Sequence, residues 1–414
     1  MAIVKPFGAV RPSAEMAAQV AALPYDVYNR KEACEAVKGN PLSFLNIDRA
    51  ETQFGEDVDM YADCVYEKAR ELLEERMADG TFIQDEIPCF YIYQQTMNGR
   101  SQTGLVACSS IDDYVNHVVK KHENTREEKE QDRFRHVDTT NAHTGPIFLA
   151  YRARAELNRI IYRVTTGHPL YGFVSEDGVE HRVWKIAAPG LVKQIEEEFL
   201  HVPATYIADG HHRAASAVKV GLKRREENPG CTGEEPYNYF LSVLFPDEQL
   251  MIMPYNRVVA DLNGMTDKEF MEKISEIFLV KEEGMIPYSP ERKGKFGMYL
   301  KRKWYSLEAK EELFSSDPVD GLDVSILQNS LLGPVLGIGD PRTDKRIDFI
   351  GGIRGLKELE HRVEEDMAVA FALYPTSIQE LLDVADAKRL MPPKSTWFEP
   401  KLRSGLLIHL LSEK

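Results

Sequence analysis

The stretch Asp209-Gly210-His211-His212-Arg213 has the residue types and the spacing to hold a phosphate-like anion. Two histidines and an arginine fall where a helix is expected to begin, just after the apolar run Ala204 to Ala208. Cations are disfavoured in a first helical turn, because the helix dipole is positive there. Three potential cations in that turn make sense when an anion sits on them. Backbone N–H groups, the dipole and the Arg213 fork then converge on one group. The plainer alternative is a solvated surface turn.

Two further clusters carry chemistry. Lys121-His122-Glu123-Asn124-Thr125 sets a base candidate, a carboxylate and a hydroxyl ahead of a charged helix. Thr125 followed by Glu128 fits a capping box, so that helix is expected to start there. Its alternative reading is a solvated helical face. Lys394-Ser395-Thr396 offers an ammonium and two hydroxyls on a loop stiffened by Pro392 and Pro393, with Lys401 and Arg403 nearby. That is a second anion-site candidate, against an ordinary surface connection.

The elements that must position these groups read as follows. Ala204 to Ala208 is β-prone, Asp209 is a good helix N-cap, and Gly210 allows a tight turn. An Ala-rich helix follows and is expected to stop at Gly221. Residues 57–79 read as a helix, and Pro88 to Gln95 with Gln102 to Ser110 as a hairpin turning at Met97-Asn98-Gly99. Asn40 to Ile47 reads as a turn into a strand. Strands are expected at Ile147 to Tyr151, Ile160 to Val164, Val183 to Ile186 and Tyr239 to Phe245, and a short helix at Leu191 to Phe199. After a polar loop from Lys223 to Pro236, a capped helix from Thr266 opens a last, mixed domain. In it, strands are expected near 295–306 and helices near 323–331, 355–363, 364–372 and from Ser377.

The chain has 414 residues, too many for one ordinary core, so two or three domains are expected. We divide it into 1–104, 105–262 and 263–414. It is 43% hydrophobic and 28% charged, as globular proteins are, with a net charge of −15. That balance argues against general binding to nucleic acid or anionic membrane, which needs a basic face. No run approaches the roughly 20 apolar residues of a membrane span, and the N-terminus lacks an apolar signal core. A cytoplasmic protein is expected. Five cysteines occur singly, without Cys-x-x-Cys, so reduced and mostly buried thiols are expected.

Around the Asp209–Arg213 stretch, about residues 105–260, the chain resembles the clan of ParB N-terminal domains, sulfiredoxin and free serine kinases. There a Gly-x-x-Arg turn opens a helix and binds nucleotide phosphates, here Gly210-His211-His212-Arg213. His-His-Arg resembles the serine kinases more than ParB, and sulfiredoxin's cysteine after the glycine is replaced by His211. Phe7, Pro24-Tyr25-Asp26-Val27, His122-Glu123-Asn124-Thr125, Asp209 to Arg213 and Met391 to Thr396 together identify the chain as a member of the domain-of-unknown-function family numbered 1015. The resemblance implies an α/β, partly α+β, fold. Its ParB/sulfiredoxin-like nucleotide-binding core would carry an N-terminal extension and a C-terminal mixed α/β domain.

The leading functional expectation is a nucleotide-dependent phosphotransferase or nucleotidase using ATP, ADP or another nucleotide, with Mg²⁺. Gly210, His211, His212 and Arg213, with Lys394, Ser395 and Thr396, would bind the nucleotide. Glu123, with His122, would take the proton of a small hydroxylated acceptor such as an amino acid, as the kinase resemblance implies. Asp209 would cap the helix or hold Mg²⁺. No resident metal, no membrane and no strong nucleic-acid binding are expected, and a homodimer is allowed. Three alternatives stand beside this: a ParB-like DNA-binding protein with a helix-turn-helix after residue 260, a small-ligand sensor, and a metal hydrolase built on His122, Glu123, His211 and His212. Adjacent histidines on a helix point about 100° apart, which argues against all four sharing an ion.

Overall fold

The structure, a computed structural model, describes residues 1–412. The fold is mixed α/β, in two compact units: Met1–Leu250 with the tail from Pro400, and Met251–Glu399. The expected division at 104/105 falls inside a strand, Arg100–Ser110, whose pairing runs through it. The N-terminal segment therefore shares the sheet of the segment that follows.

The first unit is built on one nine-stranded sheet. Its strands are β1 (Val4–Lys5), β2 (Phe90–Met97), β3 (Arg100–Ser110), β4 (Val119–Lys120), β5 (Ile147–Tyr151), β6 (Tyr171–Val174), β7 (Glu180–Ile186), β8 (Thr205–Asp209) and β9 (Tyr239–Pro246). They lie in the order β4-β8-β5-β9-β3-β2-β7-β6, with β1 beside the end of β3. β2 and β3 turn at Asn98 and Gly99, both at positive φ (52° and 79°), as a two-residue hairpin of this twist requires. β5 and β9 are buried at every position, which matches their unbroken apolar runs in the middle of a sheet covered on both faces.

The main helices of this unit are α1 (Asp63–Ala78), α2 (Glu127–Thr140), α3 (Ala155–Thr165), α4 (Pro189–Phe199) and α5 (His211–Glu227). Ala214, Ala217 and Val218 form the stripe that α5 lays on the core with Ile207, Phe240 and Leu244. Four local expectations are corrected. Ile160 to Val164 is helix α3, whose stripe Leu157, Ile160 and Ile161 is buried at helical spacing. Asn40 to Ile47 enters a short helix, Leu45–Asp48, not a strand. α5 runs through Gly221 to Glu227, because a Cβ at Gly221 would lie 2.5 Å from the Tyr237 carbonyl oxygen; the glycine serves close packing, not termination. Cys89 and Cys108 are buried, but Cys34 and Cys64 are exposed.

The second unit carries a six-stranded, fully antiparallel sheet: β10 (Tyr255–Val259), β11 (Phe278–Gly284), β12 (Lys295–Leu300), β13 (Lys303–Ala309), β14 (Ile347–Gly351) and β15 (Val369–Leu373), in the order β11-β13-β12-β15-β10-β14. Helix α6 (Asp267–Ile277) begins in a capping box of Thr266 with Glu269, and α8 (Ile378–Asp386) in one of Ser377 with Glu380; α7 (Leu356–Glu365) lies between them. The helix expected over 364–372 is instead strand β15, because all five of its residues are buried in the middle of the sheet. Among the described residues, no helix is long and apolar enough to cross a membrane.

Candidate functional site

Sheet direction builds the site. β4 runs parallel to β8, with Val119 opposite Thr205 and Lys120 opposite Tyr206. Parallel neighbours end at the same edge, where ligand sites of α/β sheets gather. The chain leaving β4 therefore delivers His122 and Glu123 to the point where β8 turns into α5. β5 is antiparallel to β8, so its leading loop, Thr144-Gly145-Pro146, starts from that edge too.

The turn is made at Gly210, with φ +94°, a conformation that L side chains rarely adopt. Gly210 is also the helix N-cap and carries no capping side chain. Asp209 is thus not the cap expected of it: β8 extends through it. Its Oδ1 accepts from the Gly210 N–H at 2.9 Å, and its Oδ2 faces Lys401 Nζ at 3.4 Å and Arg213 at 3.9 Å. Burial would raise the Asp209 pKa, but the charges of Lys401 and Arg213 outweigh it and hold it at about 2. The carboxylate expected to hold Mg²⁺ thus stands beside two cations.

His122, Glu123 and His211 come together. One ligand-type atom from each lies within 4.8 Å of the others. Both imidazoles are buried, while Glu123 is exposed. Their rings meet edge to face at 4.6 Å between centroids, and the His122 backbone N–H approaches His211 Nε2 at 3.5 Å, a long contact. Burial holds the His122 pKa down at about 4, against the upward pull of Asp209, and keeps His211 well below its ordinary value. Both are neutral rings at pH 7.

His212 does not join them. It is outside that group of ligand atoms, and its half-buried ring, in the field of Asp26, Arg126, Glu130 and Lys129, leaves Nδ1 without a hydrogen-bond partner. Arg213 lies across Gly210, donates to the Pro146 carbonyl at 2.5 Å, and keeps a buried Nε without a partner. It lines a small cavity with Tyr25, Asp48, Arg133, His136 and Thr144.

Four of those residues belong to a buried polar cluster that the sequence reading missed. Tyr25, Asp48, Arg133 and His136 also line a neighbouring cavity of about 120 Å³. The Arg133 guanidinium stacks 4.0 Å over the Tyr25 ring and pairs with Asp132, which accepts from Tyr66 at 2.9 Å. Helix α2 is therefore not a solvated face: Glu130, Asp132, Arg133 and His136 are buried. The available signal was their three- and four-residue spacing, hidden because every one of them is polar. The expected capping box of Thr125 and Glu128 is also absent. α2 starts at Glu127, and Thr125 Oγ1 donates to Glu130 at 2.7 Å.

Lys394, Ser395 and Thr396 lie in the second unit, whereas the Asp209–Arg213 turn lies in the first. Ser395 is buried and its hydroxyl donates to the Pro392 carbonyl at 2.6 Å, so it is not available to a phosphate. Lys394 sits at φ +60° with Nζ 5.5 Å over the Tyr255 ring. Arg403, in the first unit, is buried and pairs with Asp177.

No curated protein matches the chain by sequence. Among solved structures, a free serine kinase in complex with AMP is similar at 15% identity with a TM-score of 0.35, covering 73% of this chain and 91% of that one. A conserved hypothetical protein from Pyrococcus furiosus is similar at 15% identity and 0.34, covering 74% and 95%. SbnI with C-terminal truncation from Staphylococcus aureus is similar at 11% and 0.38, covering 74% and 87%. These scores are too low to assign a ligand or a reaction to this chain. A family model does match by sequence, over residues 4–325, and the chain belongs to that family, described as protein of unknown function (DUF1015).

Proposed function

We propose that this protein is a phosphotransferase that moves the terminal phosphoryl group of a nucleotide, ATP or ADP, onto the hydroxyl of a small metabolite such as an amino acid in the cytoplasm. The observation that carries this reading is the meeting of the exposed Glu123 carboxylate with His211 at the N-terminus of α5. The first-turn N–H groups of a helix have no partner within it and point along the positive end of the dipole. Arg213 and Lys401 both stand beside the Asp209 carboxylate at this turn, which brings two cations to where phosphate oxygens would bind.

In the step itself, Glu123 accepts the acceptor's hydroxyl proton. The oxygen bonds to the terminal phosphorus, and the bond from phosphorus to the departing nucleotide's bridging oxygen breaks. His122 and His211, neutral at pH 7, donate or accept hydrogen bonds at the transferred group and add no charge. A partition-protein reading would need a helix-turn-helix after residue 260. Among the described residues, that segment instead forms an antiparallel sheet whose strands separate its helices.

The test is product formation from ATP or ADP with a panel of hydroxylated acceptors, together with calorimetric nucleotide binding. Glu123→Gln should cut turnover by about 10²–10⁴-fold and keep nucleotide binding. Arg213→Ala should weaken the binding itself. Wild-type turnover in both variants would overturn the proposal.

A further inference from the structure

We infer that His122, Glu123 and His211 form a binding site for one divalent transition-metal ion, Zn²⁺ foremost. The inference rests on the geometry of the pocket and not on the phosphoryl-transfer reading.

The donor set is two imidazoles and one carboxylate, a combination that suits Zn²⁺ and its neighbours and not Mg²⁺ or Ca²⁺, which take oxygen ligands. The three donor atoms lie within 4.8 Å of one another. Around a tetrahedral ion with bonds of about 2.0–2.1 Å, neighbouring ligands stand roughly 3.4 Å apart, so small side-chain movements bring them to an ion. Three protein ligands leave a fourth position open, as in catalytic rather than structural sites.

A second, independent observation is the state of His122. Its ring is buried and hydrogen-bonds the backbone of Ile207, yet its Nδ1 has no hydrogen-bond partner. A buried nitrogen left in this way is costly unless something else binds it. A histidine tied to a backbone carbonyl through one nitrogen, with the other left bare, has the arrangement of a metal-ligating imidazole and its outer partner. His212 is outside the set.

One Glu123 oxygen would go to the ion. The other can still accept a proton from a bound hydroxyl, because a carboxylate has two oxygens.

The experiment uses the full chain, stripped with a chelator and titrated with Co²⁺ as a spectroscopic stand-in for Zn²⁺, then with Zn²⁺ in competition. One Co²⁺ per chain is expected, with visible ligand-field bands displaced by Zn²⁺. Glu123→Gln keeps the fold because the residue is exposed. It should weaken binding by at least about tenfold, since even an outer-shell change costs about 10–100-fold. His211→Gln should do the same, with circular dichroism confirming the fold, and His212→Ala should bind as the wild type does. Absence of stoichiometric binding, or wild-type affinity in Glu123→Gln, overturns the inference, and so does a loss in His212→Ala as large as in His211→Gln. A protein that turns over nucleotide without binding Co²⁺ or Zn²⁺ defeats this inference and leaves the phosphotransferase reading standing. One that binds the ion and transfers no phosphoryl group does the reverse.

Discussion

Lys401 reaches back 192 positions along the chain to place its ammonium 3.4 Å from the Asp209 carboxylate, at the end of β8. The pair ties the C-terminal tail to the turn that opens α5. It is also the first of the charges that keep Asp209 ionised, with its pKa held at about 2.

Lys401→Met should therefore destabilise the first unit. Removing one partner of a fully buried pair costs about 3–5 kcal/mol, but the Asp209 side chain is 31% exposed and Arg213 remains nearby. A loss of about 1–2 kcal/mol is expected. The Asp209 carboxylate has a depressed folded pKa, so its contribution is present above the unfolded value near 3.8 and fades as pH falls toward 2. Urea denaturation at pH 7 measures the loss. A variant as stable as the wild type would show that the pair holds nothing.

Gly210→Ala tests the turn. A Cβ there would be held at φ +94° and would lie 3.1–3.2 Å from the Arg213 guanidinium. The left-handed conformation costs roughly 1–2 kcal/mol for an L side chain. We expect a lower thermal midpoint and weaker nucleotide binding as Arg213 is displaced, with Gly210→Asn milder because Asn tolerates this region. An Ala variant as stable as the wild type would remove the strain argument.

Gly221→Ala sets two effects against each other. Alanine favours a helix interior by about 1 kcal/mol over glycine. The added Cβ would lie 2.5 Å from the Tyr237 carbonyl oxygen and 2.7 Å from Ile111 Cδ1. Backbone cannot rotate away as a side chain can, so overpacking should win by about 1–3 kcal/mol net. Differential scanning calorimetry reads the sign directly, and a raised midpoint would mean that the contact yields.

Asp323, in the second unit, offers a pH test. It is buried and accepts the Gly294 N–H at 2.9 and 3.1 Å. Burial pushes its pKa up to about 7, against the downward pull of that N–H. A raised carboxyl contributes stability that is full below the unfolded value near 3.8 and is lost as pH rises through about 7. Asp323→Asn does not titrate. It should therefore stabilise more at pH 8 than at pH 5, by roughly 2–3 kcal/mol at 1.36 kcal/mol per pKa unit. A pH-independent difference between variant and wild type would refute the shifted carboxyl.

Much of this architecture was legible from neighbours in sequence. The strand, glycine turn and helix over Thr205–Glu227, the hairpin at Asn98-Gly99 and the capped start of α6 at Thr266 each depend on contacts within a few residues, so residue type and spacing suffice. Short apolar runs were not decidable in this way. Ile160 to Val164 is a helix and Val369–Leu373 a strand, and only what each packs against separates them.

The site divides along the same line. That His211 and Arg213 sit in a first helical turn follows from local sequence, as does a loop bearing His122 and Glu123. That the two segments meet depends on β4 lying parallel beside β8, a pairing between residues 86 positions apart that no local rule contains. The state of Asp209, the burial of Arg133 and His136 on a helix that reads as solvated, and the grouping of His211 rather than His212 with His122 and Glu123 were settled the same way. A charged side chain is recognisable in sequence, but its partner and its exposure to water are set by whichever distant segment folds against it.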